Sequence, residues 1–388
     1  MAQKTWTWMH GTNQTYVEQA RITPDMVGGP KTGYMIEKRR LYGGLSDGVD
    51  VVHVDNGPLR FDVLPTRGMG IWKVWAGDLA IGWNSPVRGP VHPSLVPLAE
   101  PSGLGWLSGF DELLVRCGLE SNGAPEFADN GRLRYGLHGR VANQPAHQLD
   151  VHADGESGEL TVAGVVDEAR FLCGKLRMST TVTTRVGETA LSIRDTVANL
   201  SGKPTDIQLL YHINFGPPLV GPGAEVVIPT RTMMPRDPVA AAALADWPHY
   251  PAPQAGVSEQ VYFFHLQGDD QQQTAVLLID PQGQRGVSLH FNTTQLPCFS
   301  LWKNPEAESD GYVTGLEPAT NYPNTRSFEA QHGRVVPLEP GGVCTFDLQL
   351  RVHQTSAEVN AMRQQIEALV TAQPTIHPRP QPDWCAGV

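Results

Sequence analysis

Proline ends helices and interrupts the ladder of a central strand, and glycine weakens both. This chain of 388 residues scatters 32 prolines and 40 glycines along its length. Such spacing leaves little room for long helices. What remains is a series of short apolar or alternating runs that read as strands at 49–54, 59–64, 70–75, 159–166, 175–185, 190–199, 205–214, 275–280, 286–292 and 344–352. Turn-formers lie between them: Asp154-Gly155-Glu156-Ser157-Gly158 follows 147–153, and Val186-Gly187-Glu188-Thr189 joins 180–184 to 191–195. Consecutive hairpins build antiparallel meanders, so the expected class is all-β, a large antiparallel sandwich. No fixed-period repeat is visible, which lowers propellers and solenoids.

One segment breaks the pattern. Residues 356–372 open on the N-cap candidate Ser356 and carry Val359, Met362, Ile366 and Leu369 at spacings of three and four, predicting a C-terminal helix packed on the body. The tail from Pro374 holds four prolines and is expected to run extended over the surface. Residues 235–260 form the longest irregular stretch, either a surface excursion with a short Ala-rich helical turn or a lid over a site. The expectation is one domain over 1–388, with its core at about 44–352 and helix and tail at 356–388.

A net charge of -11 without any Lys/Arg run argues against nucleic acid or an anionic membrane as partner, and favours a small molecule. The first residues lack the apolar core of a signal peptide, and no stretch reaches the roughly 18 apolar residues that span a bilayer, so a cytoplasmic protein is expected. Five scattered cysteines without a Cys-x-x-Cys pair read as reduced, mostly buried thiols. The thirteen histidines include no His-x-His pair, and no metal or organic cofactor is expected.

Nucleotide-binding glycine motifs, a Gly-x-Ser-x-Gly elbow and a His-Glu-x-x-His helix are all absent. The candidates are instead polar residues in Gly-rich and aromatic-rich settings. Arg67, in Leu64-Pro65-Thr66-Arg67-Gly68-Met69-Gly70, could project its fork onto adjacent hydroxyls or a carboxylate. His138 and Arg140, in Gly136-Leu137-His138-Gly139-Arg140, sit where glycines open the backbone to a ligand or merely form a tight turn. Period-two alternation puts Leu210, His212 and Asn214 on one face of a strand and Tyr211, Ile213 and Phe215 on the other. Asp111, Glu112 and Arg116 read better as a salt-bridged turn than as pocket groups. Asn84 beside Trp83, and Trp302 with Lys303, supply aromatic, amide and cationic groups of the kind that bind sugars, although buried Trp is more often core. Glu317, in Gly315-Leu316-Glu317-Pro318-Ala319-Thr320-Asn321-Tyr322-Pro323, reads as a carboxylate on a stiff loop suited to acid/base work.

Taken in order, these motifs resemble the aldose 1-epimerase (galactose mutarotase-like) superfamily, and within it the DUF4432 family. The segments carrying the resemblance are 64–70, 113–118, 136–140, 210–216 and 315–318. The resemblance implies a galactose mutarotase-like β-supersandwich with a short C-terminal helix and an open groove for a pyranose. By that resemblance Glu317 takes the anomeric proton, His212 protonates the ring oxygen, and His138 and Arg67 contact the sugar. Arg140, Asn214, Trp302, Lys303 and Asn84 complete the expected substrate-binding set.

Opening a cyclic hemiacetal requires a base on the anomeric hydroxyl and an acid on the ring oxygen, roles that Glu and His can fill near neutral pH. Arg140 follows Gly139 where mutarotases carry a second Gly, and together with Arg67 it points to an acidic or modified sugar. The expected partner is a small-molecule sugar, with a homodimer left open. Two other readings stay open: a non-catalytic sugar-binding module, and a carbohydrate lyase or hydrolase using the same groove.

Overall fold

In the computed structural model, which describes residues 2–387, strands pair into two large sheets. The first has ten strands and is antiparallel throughout, with Lys175–Arg185, Ala190–Asn199 and Val343–His353 near its middle. The second has fourteen, and its central run is Gln260–Leu266, Cys298–Asn304, Val313–Ala319, Thr205–Phe215, Leu114–Leu119 and Gly70–Ala76. The predicted runs at 59–64, 175–185, 190–199 and 286–292 coincide with observed strands, and the other six are recovered with shifted ends.

The two sheets are held face to face by one continuous apolar layer. Val162, Val182 and Ile193 from the first sheet meet Phe61, Ile71, Tyr211, Ile213 and Phe264 from the second. Each such side chain contributes on the order of 1.5–3 kcal/mol of transfer free energy. A buried polar network is embedded in this layer. Arg116 Nε donates to Asp195 at 2.5 Å, and Tyr211 Oη donates to the same carboxylate at 2.7 Å. Glu112 is joined to Arg67 and Arg116 to Asp195, so these residues are structural as the sequence favours, but not as a salt-bridged turn: Arg116 lies in the strand Leu114–Leu119, and both ion pairs reach to distant parts of the chain.

The C-terminal helix spans Ser356–Ala368, and its N-cap is Thr355 in a capping box with Glu358, one residue earlier than expected. Val359, Met362 and Ile366 pack on Ala275, Leu277 and Ile279, on the face of the first sheet that points away from the second. The tail does more than cross the surface. Thr375–Ile376 adds a parallel strand beside Thr230–Pro235, Trp384 stacks on Tyr322 at 4.9 Å, and Cys385 is buried. All five cysteines are free. Among the described residues no helix is long and apolar enough to cross a membrane.

Glu317 corrects the loop expectation: it lies inside the strand Val313–Ala319, between Cys298–Asn304 and Thr205–Phe215. Pro318 therefore occupies a central strand, where proline is rare because it cannot donate to the ladder. The pairing shows the cost locally. Asn214 pairs with Gly315 and Leu210 with Ala319, but the positions between, Tyr211–His212 against Glu317–Pro318, form no ladder pair.

Candidate active site

Strand alternation selects the side chains that can meet. Tyr211, Ile213 and Phe215 point into the layer between the sheets, so His212 and Asn214 must point to the opposite face. The register that pairs Asn214 with Gly315 and Leu210 with Ala319 sets His212 opposite Glu317. Trp302 is brought alongside by its pairing with Gly315, and Ser300 by its pairing with Glu317. His212 Nε2 lies 3.2 Å from Glu317 Oε1, and both side chains are almost wholly buried.

Hydrogen bonds fix the tautomers of both histidines. Asn214 Nδ2 donates to the Glu112 carbonyl at 3.0 Å, which turns its Oδ1 toward His212 Nδ1 at 2.6 Å. His212 Nδ1 therefore carries hydrogen and Nε2 presents a lone pair to Glu317. His138 Nδ1 donates to the Asn122 carbonyl at 2.9 Å, leaving its Nε2 as an acceptor. His138 has a positive φ of 57°. The following Gly139 is required by packing, since a Cβ there would lie 2.0 Å from the Ser121 carbonyl oxygen. The two imidazoles meet edge to face at 5.4 Å.

Burial dominates the electrostatics. It raises Glu317 to about 8, helped by the nearby Glu259 carboxylate and opposed by Arg236. Burial also pulls His212 well below its usual value, with His138 adding to the effect and the Asn214 hydrogen bond opposing it. His138 falls to about 4 by burial, against the pull of the Asn122 carbonyl. Near neutral pH the 3.2 Å contact is thus a carboxylic acid facing an imidazole lone pair, although its distance alone would suit an ion pair.

Around this pair is a cavity of about 320 Å³. Trp106, Phe110 and Trp302 form aromatic walls, with Phe110 5.1 Å and Trp302 5.3 Å from the His212 ring between centroids. Leu104 and Leu107, each 44% exposed, stand at its edge. Such walls suit the C–H faces of a sugar ring.

The structure brings His138, His212, Glu317 and Trp302 together and sends the other candidates elsewhere. Arg67 is buried. Its guanidinium donates to Glu112, Asn143, and the carbonyls of Val91 and Gly109, so it braces the loops beneath the aromatic wall without lining the cavity. Asn214 orients His212, and its amide is fully engaged. Lys303 alternates away from Trp302 and donates to the carbonyls of Trp247 and His249. Asn84 is exposed outside the cavity, and Arg140 lines different cavities.

Besides the walls Trp106 and Phe110, two charged lining residues escape the sequence reading, Arg236 and Glu259, at the ends of the irregular stretch 235–260. Arg236 Nη2 donates to Glu259 Oε1 at 2.8 Å, while Glu259 Oε2 accepts the Trp302 indole N–H at 2.7 Å. Their pairing is non-local, and the only signal available was the length of the stretch. Between them the chain forms the helix Pro238–Ala242, capped by Asp237, and a further short turn.

Residues 46–352 match the family model described as a domain of unknown function, DUF4432. The chain matches no curated protein. Its structure is similar to the crystal structure of a Klebsiella pneumoniae protein provisionally named an aldose 1-epimerase, at 32% identity and a TM-score of 0.94, covering 97% of this chain and 99% of that one. A galactose mutarotase-like protein from Clostridium acetobutylicum is similar at 14% identity and a TM-score of 0.55, covering 82% and 98%. An Escherichia coli K12 protein, also provisionally named an aldose 1-epimerase, matches at 15% identity and a TM-score of 0.52, covering 79% and 100%. The fold is that of the galactose mutarotase-like proteins.

Proposed function

This chain belongs to the DUF4432 family, and on that footing we propose that it is an aldose 1-epimerase-like isomerase, opening and reclosing a sugar hemiacetal by acid/base catalysis. The observation that carries this reading is the 3.2 Å contact of His212 and Glu317 in an aromatic-walled cavity. The two oxygens that exchange protons in mutarotation are bonded to the same carbon, so an adjacent acid and base can reach both.

Passage of the Glu317 proton to His212 Nε2 gives a carboxylate beside an imidazolium. Glu317 then takes the proton of the anomeric hydroxyl as the bond from the anomeric carbon to the ring oxygen breaks, and His212 delivers its proton to that oxygen. Rotation of the free aldehyde and the reverse steps yield the other anomer. Asn214 keeps His212 Nε2 aimed at the reacting atoms, and His138 Nε2 is available to accept from a sugar hydroxyl.

The charges favour a neutral sugar over the acidic one expected from the sequence. Arg67 and Arg140 lie outside the cavity, and Arg236, the cation lining it, is paired with Glu259. The test is anomer exchange followed by NMR across a panel of neutral aldoses. The wild type is expected to accelerate exchange for at least one of them, and Glu317→Gln to slow it by about 10²-fold or more. Equal rates in wild type and variant would sink the reading. Saturable binding without exchange would support a binding module, and a product with new ultraviolet absorbance would support a lyase.

A further inference from the structure

Arg140 points to a part of the molecule that the proposed reaction does not use. It lines two adjoining cavities of about 370 and 440 Å³, neither of which shares a lining residue with the His212–Glu317 cavity. The two have Glu120, Arg140, Glu168 and Arg170 in common, and the larger adds Lys203 and Arg326. Four cations thus border one cavity in a chain whose net charge is -11.

The carboxylates at the same walls already have partners. Glu168 accepts the backbone N–H groups of Leu119 and Glu120 at 3.1 and 3.0 Å with its two oxygens. Glu120 pairs with Arg170 at 3.4 Å, and Asp206 with Arg326 Nη2 at 3.8 Å. Arg140 also lies close enough for its charge to act on Glu168, and the four cations exceed the three carboxylates by one. Arg326 Nη1 is buried without an acceptor. Among the described residues, the Arg140 guanidinium and the Lys203 ammonium bordering the same space form neither a side-chain hydrogen bond nor an ion pair.

We propose that this pair of cavities is a second small-molecule site, in which Arg140, Lys203 and Arg326 hold the phosphate group of a phosphomonoester. A lone carboxylate offers two oxygens and is satisfied by one guanidinium fork. The Arg140 fork, the remaining Nη1 of Arg326 and an ammonium instead match the three outward oxygens and the charge of a phosphate. The larger cavity exceeds what a bare phosphate fills, and the adjoining one, walled by Leu98, Leu133 and Tyr135, has room for the organic body.

Calorimetric titration of the full chain at low salt, with inorganic phosphate and with glucose 6-phosphate, tests this. Saturable binding is expected for both, tighter for the sugar phosphate. Arg140→Gln and Lys203→Gln should each weaken it at least tenfold, and Glu317→Gln should leave it unchanged. Thermal unfolding confirms that each variant is folded, and having two separate charge deletions guards against the failure of either. Absence of saturable binding in the wild type, or equal affinity in wild type and both charge variants, would overturn the proposal. So would loss of binding in Glu317→Gln, which would place the ligand in the other cavity. Equal affinity for the two probes would overturn the part that gives the adjoining cavity to an organic body. Because the readout is binding at residues remote from Glu317, it stands or falls independently of the anomer-exchange assay.

Discussion

Gly315 offers a sharp test of the geometry around Glu317. It shares a sheet face with Glu317, its neighbours across the two ladders are Asn214 and Trp302, and its missing side chain is what lets the carboxylate lie over the strand. A Cβ built there would stand 2.5 Å from Glu317 Oε1, 3.1 Å from His212 Cε1 and 3.2 Å from Trp302 Cε3. Reaching ordinary contact at 3.4 Å requires the carboxylate oxygen to retreat by about 0.9 Å, and it is this oxygen that faces His212. The clashing atom is the end of a side chain, so Gly315→Ala should cost the fold only about 1–2 kcal/mol, the lower range for overpacking. Misplacement of a reacting group by about 1 Å costs on the order of 10²-fold in rate. The variant should therefore stay folded, with a melting temperature lowered by only a few degrees, while NMR-detected anomer exchange falls roughly 100-fold. Exchange within twofold of wild type in folded Gly315→Ala would refute the claim that the Oε1 position sets the chemistry.

Three further outcomes are expected. Glu317 has a folded pKa of about 8 against 4.5 ordinarily, so the folded state binds a proton that the unfolded state has lost between those values, and wild-type stability from this group falls as pH rises through that window. Denaturant unfolding should show Glu317→Gln gaining on wild type from pH 4.5 to 8, by an amount on the order of a few kcal/mol; a constant difference would contradict the assignment. Arg67→Ala should destabilise the fold by about 3–5 kcal/mol by stranding buried Glu112, whereas a variant of normal stability with weakened sugar binding would restore Arg67 to the site. Asn214→Ala should slow anomer exchange roughly 10- to 100-fold by freeing the His212 ring, and Asn214→Asp should move the pH profile upward by raising the proton affinity of His212, a shift that a purely structural role would not produce.

The sequence showed what depends on local periodicity. Alternation along 205–214 sorted His212 and Asn214 from Tyr211 and Ile213 correctly because a strand's two faces follow from backbone geometry alone. The C-terminal helix was legible for the same reason. Glu317 reads as a loop residue in the sequence because Pro318 and Pro323 are breakers; the sheet instead accommodates Pro318 with a local gap in its ladder. Arg67, Lys303 and Asn84 could not be assigned from spacing, since whether an Arg or Lys reaches a cavity or spends its donors on carbonyls depends on contacts far away in the chain. Arg236 and Glu259 stay hidden for a related reason: they lie 23 positions apart, and only the closed loop brings them together.

His212 and Glu317 are carried by neighbouring strands in the interior of a fourteen-stranded sheet, whereas Trp106, Phe110 and Arg236 come from segments at or beyond strand ends. Proton handling and ligand shape are therefore written into separable parts of the gene. On the proposed reading, replacing 104–110 or 235–260 would change which molecule is admitted while leaving His212 and Glu317 on their strands.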